Sequence, residues 1–537
     1  MTDILIIGSG GAGLSAALRA KELGASVLVV SKTYPTHSQT SQAQGGINAV
    51  MHENDGIENH VNDTLKSSHG LGDVNAIQTM CENAKENIEW LNILGVPFSR
   101  DDTSHIAQRK LGGASFARAC YSSDYTGLKI LHTLYDSCIK ESINFLHEHM
   151  LLNFIVENST VVGITAIDLQ TMEVKELLAK SVIVATGGYI ALYNGFNTNS
   201  NSTTGDGIAA ALRAGAKLSN MEMIQFHPTA IKGCNVLMSE SARGEGGYLV
   251  DEQDNRFIDE LKPRDEVARA IYEKIQEKHE VFLDVRHLGL EKIKEAIPQE
   301  RRLAYDFTNV KLEEEKISIN PAAHYCMGGI LVNKEAKTTL KNLYACGECA
   351  QTNIHGANRL GGNSLLEIIT FGKIAASSAY KALKKDTKKQ ITSPTKQFLN
   401  DTAFIKAVYD FPNKINFYEK KEFMGKIFFK NVGLFRNDLN MKAVLSQLRQ
   451  WQKEFSFMGI GDKSRICNKN LVEFIEFGNM LELSETVVIS AISRCESRGA
   501  HFRSDHPFEV KDFAKNSVAY KVDGILAVDF EELNHEN

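Results

Sequence analysis

The chain has 537 residues, is 43% apolar and 23% charged, and carries a net charge of −6. That length exceeds what a single core organises, so about two to four domains are expected, and the composition is that of an ordinary globular protein. The charge balance offers no general attraction to nucleic acid, and no apolar run is long enough to span a bilayer, so any membrane association must come through a partner.

The chain begins with the stretch around which the rest is organised, DILIIGSGGAGLSAALRAKELGASVLVVS, Asp3 to Ser31. Ile4, Leu5, Ile6 and Ile7 are an unbroken apolar run, as in a parallel strand buried on both faces. The run enters Gly8-Ser9-Gly10-Gly11-Ala12-Gly13, a GxGxxG pattern, followed by an Ala/Leu-rich helix to Leu23, a Gly24 stop and a second strand, Val27 to Val30. In such a unit Gly8 makes the tight turn, Gly10 admits a pyrophosphate to the backbone, and Gly13 lets helix and strand pack closely. The free N–H groups of the helix start then face the phosphates. The order strand, glycines, helix is what separates this from a glycine-rich turn in an unrelated unit. The second strand ends at Ser31-Lys32, without the acidic residue that holds a ribose in the NAD fingerprint, which favours FAD as the occupant. The early strand predicts a chain without a signal peptide. The nine cysteines, an uneven count in no disulfide-like pattern, predict a reducing compartment.

A polar, glycine-ended stretch follows, Tyr34 to Ile47, either a surface loop or a ligand-facing one. Residues 60 to 100 show helical spacing, as do KILHTLYDSCIKE and, later, VLSQLRQWQKEF and NLVEFIEFGNMLELSETVVISAI. Strands are expected at Phe154–Val156 and Val161–Ala166. Val182 to Gly188 repeats the strand-to-glycine device through Ala185, Thr186 and Gly187. Gly205-Asp206-Gly207 opens a helix, where Asp206 either touches the adenosine end of a dinucleotide or caps the helix. Cys346 and Cys349 have CxxC spacing, but inside an Ala-Cys-Gly-Glu-Cys-Ala turn packing is the preferred reading over a redox or metal pair, and no metal site is expected. Lys384 to Pro394 reads as a linker, and Ala519 to Phe530 as a short antiparallel strand pair.

Several of these stretches carry a resemblance. SxxSQAQGGI after a dinucleotide unit resembles the flavoproteins of the succinate dehydrogenase and fumarate reductase family and their relative L-aspartate oxidase. The likeness continues through Pro97-Phe98-Ser99-Arg100, Gln108-Arg109 with Gly112-Gly113, and Gln225-Phe226-His227-Pro228-Thr229. It runs on through Met238 to Gly247, Pro263-Arg264-Asp265, His324-Tyr325 to Gly329, the NLYACGE segment, His355 to Glu367, and Ser497 to Phe502. It implies an α/β chain: an FAD-binding Rossmann-like domain in two parts (1–226 and 326–390), an inserted α+β capping domain (227–325), a helical domain (397–500) and a C-terminal tail (501–537). FAD would be held by Gly8, Gly10, Gly11, Ala12, Gly13, Ser31, Lys32, Gln39, Thr40, Gly45, Gly46, Ala185, Thr186, Gly187, Asp206, Glu348, Ser364 and Leu365.

The resemblance also implies the chemistry. Interconverting fumarate and succinate requires clamping two carboxylates, presenting one carbon to the flavin and bringing a proton to its neighbour. His324 and Arg359 would hold one carboxylate, the planar guanidinium making paired charge-assisted bonds. His227 and Ser239 would hold and polarise the other. Arg264 matches the family's proton donor, resupplied through Glu240 and Arg243, which share a face if that segment is helical. Where membrane-complex members carry the histidine that bonds the flavin covalently, this chain has Gln39, with His37 two residues earlier. Non-covalent FAD follows, and fumarate reduction is favoured over succinate oxidation. Electrons would pass to or from an iron–sulfur subunit, and through it a membrane anchor or soluble carrier, because the chain has no ferredoxin-type cysteine run. The location implied is cytoplasmic, or peripheral on the inner face of a membrane through those partners. The alternative is L-aspartate oxidase making iminoaspartate. Chain length and the absent flavin-bonding histidine suit it, whereas Leu111, where the oxidases carry a glutamate for the substrate ammonium, and the GGNSLLE box oppose it. A flavin-bearing subunit without turnover is disfavoured by the intact set of candidate residues.

Overall fold

The computed structural model describes residues 1–383 and 393–532. The linker expected over Lys384 to Pro394 lies, up to residue 392, outside them. The first apolar run forms the strand Thr2–Ile7, central in a seven-stranded sheet. It pairs in parallel with Val27–Val30 on one side and with the C-terminal half of Val174–Val184 on the other, and that strand in turn pairs in parallel with Leu343–Ala345. The N-terminal half of Val174–Val184 instead takes the antiparallel hairpin His149–Glu157 and Thr160–Asp168. One long strand thus serves a buried parallel half and an antiparallel flank.

The parallel strands end in register. Ile7 sits beside Val30 and Val184, and Val184 beside Ala345. Gly8, Ser31, Ala185 and Cys346 therefore emerge along one carboxyl edge, where open α/β sheets bind their ligands. Helix Gly11–Glu22 leaves this edge and packs on Asn363–Leu383 so closely that a Cβ at Gly372 would meet the Ala12 carbonyl at 2.7 Å.

Between the two runs of the main sheet lies a four-stranded antiparallel sheet in the order Ile224–Ile231, Ile317–Cys326, Phe282–Asp284, Tyr248–Val250. It is backed by helix Arg264–Gln276 and closes over its own core of Ile231, Val267, Ile271, Leu283 and Ile319. Its two long strands carry His227 and His324 on adjacent tracks. The C-terminal helices Lys396–Val408, Phe417–Asn431, Asp438–Glu454 and Lys469–Ser493 each begin with a side-chain cap, from Thr395, Asn416, Asn437 and Asn468. These caps satisfy N–H groups that a helix cannot satisfy itself. The tail forms the hairpin Asn516–Val522 and Ile525–Glu531, turning on Asp523 and Gly524, both at positive φ, as a two-residue type I′ turn requires. This hairpin extends a second sheet through Leu218–Ser219.

Candidate functional site

A continuous cavity, partly open to solvent, runs from the carboxyl edge of the main sheet to the underside of the inserted sheet. Its long arm is backbone. Gly8 turns at φ +108°, where a Cβ would stand 2.1 Å from the Ala185 carbonyl, and Thr40 Oγ1 accepts from the Gly11 N–H at 3.1 Å, closing the helix start. Gly10, Gly11, Ala12, Gly45, Gly46, Thr186, Gly187, Ser364 and Leu365 complete this wall. Gly13 stands behind it: a Cβ there would meet the Gly8 carbonyl at 2.0 Å, so its place is helix–strand packing and not ligand contact.

At the far end Ser31, Lys32 and Asp206 line the cavity. Asp206 is not a helix cap: the helix Asp206–Arg213 is preceded by Gly205, and no side chain caps it. Its carboxylate instead accepts from Lys32 Nζ at 2.7 Å, and Lys32 also reaches Glu476 at 2.7 Å. Burial pulls the Lys32 ammonium down, but the two carboxylates outweigh it and hold its pKa above the ordinary lysine value. Ser31 Oγ donates to the Thr33 carbonyl. Gln39 lines the middle of the cavity with its Oε1 accepting from the Ser200 N–H at 3.1 Å. Glu348 also lines the cavity, half-buried, and desolvation pushes its carboxyl up to about 7.

The short arm is a cluster of charges. His227, Ser239, Glu240, Arg264, His324 and Arg359 all line it. Arg264 Nε and Nη2 donate to Glu240 Oε2 at 2.9 and 2.5 Å. Arg359 Nη2 donates to Gln225 Oε1 at 3.2 Å, and its guanidinium lies 4.1 Å from the centre of the Tyr325 ring. Among the described residues no carboxylate lies within ion-pair distance of Arg359. Burial, then the Arg264 charge, lowers its pKa to about 10. The His227 and His324 rings are 4.9 Å apart. Both have pKa values well below the ordinary histidine value, first through burial and then through neighbouring positive groups, so both are neutral at pH 7. His324 Nδ1 is 2.7 Å from Thr198 Oγ1. Burial pushes the Glu240 carboxyl up, but Arg264 and Arg243 outweigh it and keep it ionised. With one carboxylate against two guanidiniums, the cavity end is positive.

Arg243 stands back from the wall. It lies on the five-residue helix Glu240–Gly244, as its spacing from Glu240 predicts, but its Nη1 donates to the Glu260 carbonyl at 2.5 Å. Its charge helps to lower the pKa of the Glu240 carboxyl, which does line the cavity. Two residues at the site escape the sequence reading as individuals. Gln225 Oε1 accepts from both Arg264 (3.1 Å) and Arg359 (3.2 Å), and its amide donates to Asn358 and to the Arg359 carbonyl at 2.8 Å each. A neutral amide thus spaces two cations. Tyr325 supports Arg359 from below and donates to the buried Glu367 at 2.8 Å. Both belong to motifs quoted for the resemblance, and neither reveals its partner by spacing. Cys346 and Cys349 are buried free thiols, and Cys349 Sγ donates to the Cys346 carbonyl at 3.3 Å.

A dinucleotide fits this cavity on the protein's own terms. Ser38 Oγ, Gln44 Oε1, Thr186 Oγ1 and Arg359 Nε are buried without a partner in the protein, and all four residues line the cavity. Buried polar atoms left unpaired are costly, so the wall is built for a polar occupant.

Comparison with known proteins agrees. Residues 3–365 match the family model described as an FAD binding domain, and residues 421–537 the one described as the fumarate reductase flavoprotein C-terminus. The 8-methylmenaquinol:fumarate reductase flavoprotein subunit of Wolinella succinogenes is 38% identical, over 94% of this chain and 86% of its own. The succinate dehydrogenase flavoprotein subunit of Rickettsia bellii is 36% identical, over 94% and 90%. A solved quinol fumarate reductase chain of E. coli superposes with a TM-score of 0.94 at 30% identity, covering 99% of this chain and 96% of that one.

Proposed function

This chain belongs to the fumarate reductase and succinate dehydrogenase flavoprotein subunits, FAD-dependent oxidoreductases acting on CH–CH groups, and from that premise we propose that it interconverts fumarate and succinate on non-covalent FAD, with fumarate reduction the favoured direction. The observation that carries this is the pair Arg264 and Arg359, bridged by the neutral Gln225 amide and offset by one carboxylate, Glu240 on Arg264, at one end of the cavity whose other arm is the glycine cradle. A small dianion completes the charge of that end.

Arg359 and His324 would grip one carboxylate of the substrate, and His227 and Ser239 the other. The histidines, held neutral, lend hydrogen bonds without adding charge. A dianion placed among them is drawn toward the guanidiniums, so electron density in its double bond shifts toward the polarised carboxylate. Arg264 then faces the carbon that must take a proton, and Glu240, with Arg243 behind it, returns that proton to Arg264. The residues of the long arm would hold FAD, which when bound would supply or accept the hydride. Gln39 occupies the place of the family's flavin-bonding histidine, and a carboxamide has no nucleophilic nitrogen to offer. The relatives are named as flavoprotein subunits, which supports a partner subunit for this chain; an iron–sulfur partner would be the electron source, with a cytoplasmic location or one peripheral to a membrane. No helix among the described residues is long and apolar enough to cross a membrane. The aspartate oxidase alternative is not favoured: Leu111 lines the cavity as buried hydrocarbon and offers an ammonium nothing.

The test is to give purified FAD-loaded protein fumarate with reduced viologen, and separately L-aspartate with oxygen. Turnover is expected in the first, and turnover only in the second would reverse the assignment. Acid precipitation should release yellow flavin into the supernatant, whereas flavin retained in the pellet would point to His37 or another attachment.

A further inference from the structure

Glu240 is 2% exposed, and each of its carboxylate oxygens has its own donors. Oε2 takes Arg264, and Oε1 accepts from the Gly112 N–H at 2.7 Å. Two glycines from distant loops flank this carboxylate. A Cβ on Gly112 would stand 2.4 Å from Oε1, with its next neighbour, the Lys262 carbonyl, at 3.3 Å. A Cβ on Gly361 would stand 2.6 Å from Oε2, and its three nearest atoms all belong to the Glu240 carboxyl group. Neither glycine has a positive φ. In each Gly-Gly pair it is the second, Gly113 at +78° and Gly362 at +83°, that makes the turn. The first glycine of each pair is thus explained by space and not by backbone conformation. The loop also docks beyond Glu240: the Gly113 N–H donates to the Leu261 carbonyl at 3.0 Å, three residues before Arg264.

We propose that Gly112 and Gly361 form a backbone slot that fixes the Glu240 carboxylate, so that the proton route through Arg264 is complete only when the 111–113 loop is seated on the segments carrying Glu240 and Arg264. The slot rests on the reading of Arg264 as proton donor. A glutamate side chain has three torsions, and a free carboxylate would sample positions from which it cannot reach Arg264. The slot removes that freedom. Gly112 and Gly361 are positioning residues: they touch Glu240 and not the substrate.

Gly112→Ala is a mild probe, because the one atom nearer than 3.0 Å is the end of a side chain and the Lys262 carbonyl at 3.3 Å need give by only a few tenths of an ångström. The variant should bind FAD as wild type does, and bind malonate with a dissociation constant within about threefold of wild type. Its fumarate turnover with reduced viologen should fall roughly 10²-fold, the scale of one positioned acid–base group. The solvent deuterium isotope effect on kcat should rise as proton delivery becomes limiting. Gly361→Ala should behave alike. Glu240→Asp draws the carboxylate back by one methylene and vacates the space a Cβ at 112 needs, so Gly112→Ala should cost less in that background than in wild type, a coupling a double-mutant cycle measures. Turnover of Gly112→Ala within threefold of wild type, additive losses in the cycle, or malonate affinity lost in step with kcat would each overturn the slot. Wild type inactive on fumarate would instead overturn the functional assignment.

Discussion

Two buried arginine clusters in this molecule are built from the same residue types and do different work. In one, Arg494 donates to Glu222, Glu496 and the carbonyls of Phe513 and Lys515, and Arg498 to both oxygens of Glu496 and the carbonyls of His69 and Val510. Every guanidinium nitrogen of these two has an acceptor. In the other, Arg264 has one carboxylate, Arg359 has none, and Arg359 Nε is buried without a partner. The first cluster is finished by the fold. The second is finished only by something that enters it. A buried charge marks a site when its partners are missing, and marks structure when they are complete.

Breaking this contrast should give its largest effect at Arg264. Arg264→Ala should lower fumarate turnover by about 10³–10⁴-fold, toward the upper limit for one acid–base group, while the flavin absorbance per protein stays at the wild-type value. Normal turnover would remove Arg264 from the acid role. Next comes stability. Arg494→Met leaves Glu222 and Glu496 buried and short of a partner, and should cost about 3–5 kcal/mol in urea unfolding. Arg359→Met orphans no carboxylate and relieves repulsion with Arg264, so its unfolding midpoint should hold or rise while malonate affinity drops at least tenfold. Equal destabilisation of the two variants would erase the distinction.

A smaller effect lies in the pH profile. His227 and His324 at the site and His501 in the paired cluster all have pKa values well below that of an ordinary histidine, primarily through burial. Below about pH 6.5 the unfolded chain takes protons that the folded one refuses, so stability is complete above that pH and is lost as pH falls. Each histidine contributes up to about 1.4 kcal/mol per pH unit. Saturating malonate should flatten the slope, because a dianion raises the two site histidines and leaves His501 unchanged. A slope indifferent to malonate would mean that no dianion sits between those rings.

Much of this could be read along the chain. The Gly8 turn, the helix from Gly11 and the strand to Val30 are local, each set by a few adjacent residues, and the structure has them where the glycines put them. The helix caps at Thr395, Asn416, Asn437 and Asn468 are equally local. The role of Asp206 was not local. Its neighbours in sequence allow either a cap or a ligand contact, and the choice fell to Lys32, 174 residues away. Gln225 was similarly mute, since an amide between two guanidiniums is recognisable only once Arg264 and Arg359 are in place.

The sequence by itself determined the dinucleotide unit, the family and the residue types at the charged end of the cavity, because hydrophobic period, glycine spacing and motif order survive without coordinates. Tertiary structure alone decided which charges are neutralised. It paired Arg494 with Glu222 and left Arg359 open, and it set Gly112 and Gly361 against opposite oxygens of Glu240. Pairing depends on distances across the fold, and electrostatic energy falls with those distances and not with separation along the chain.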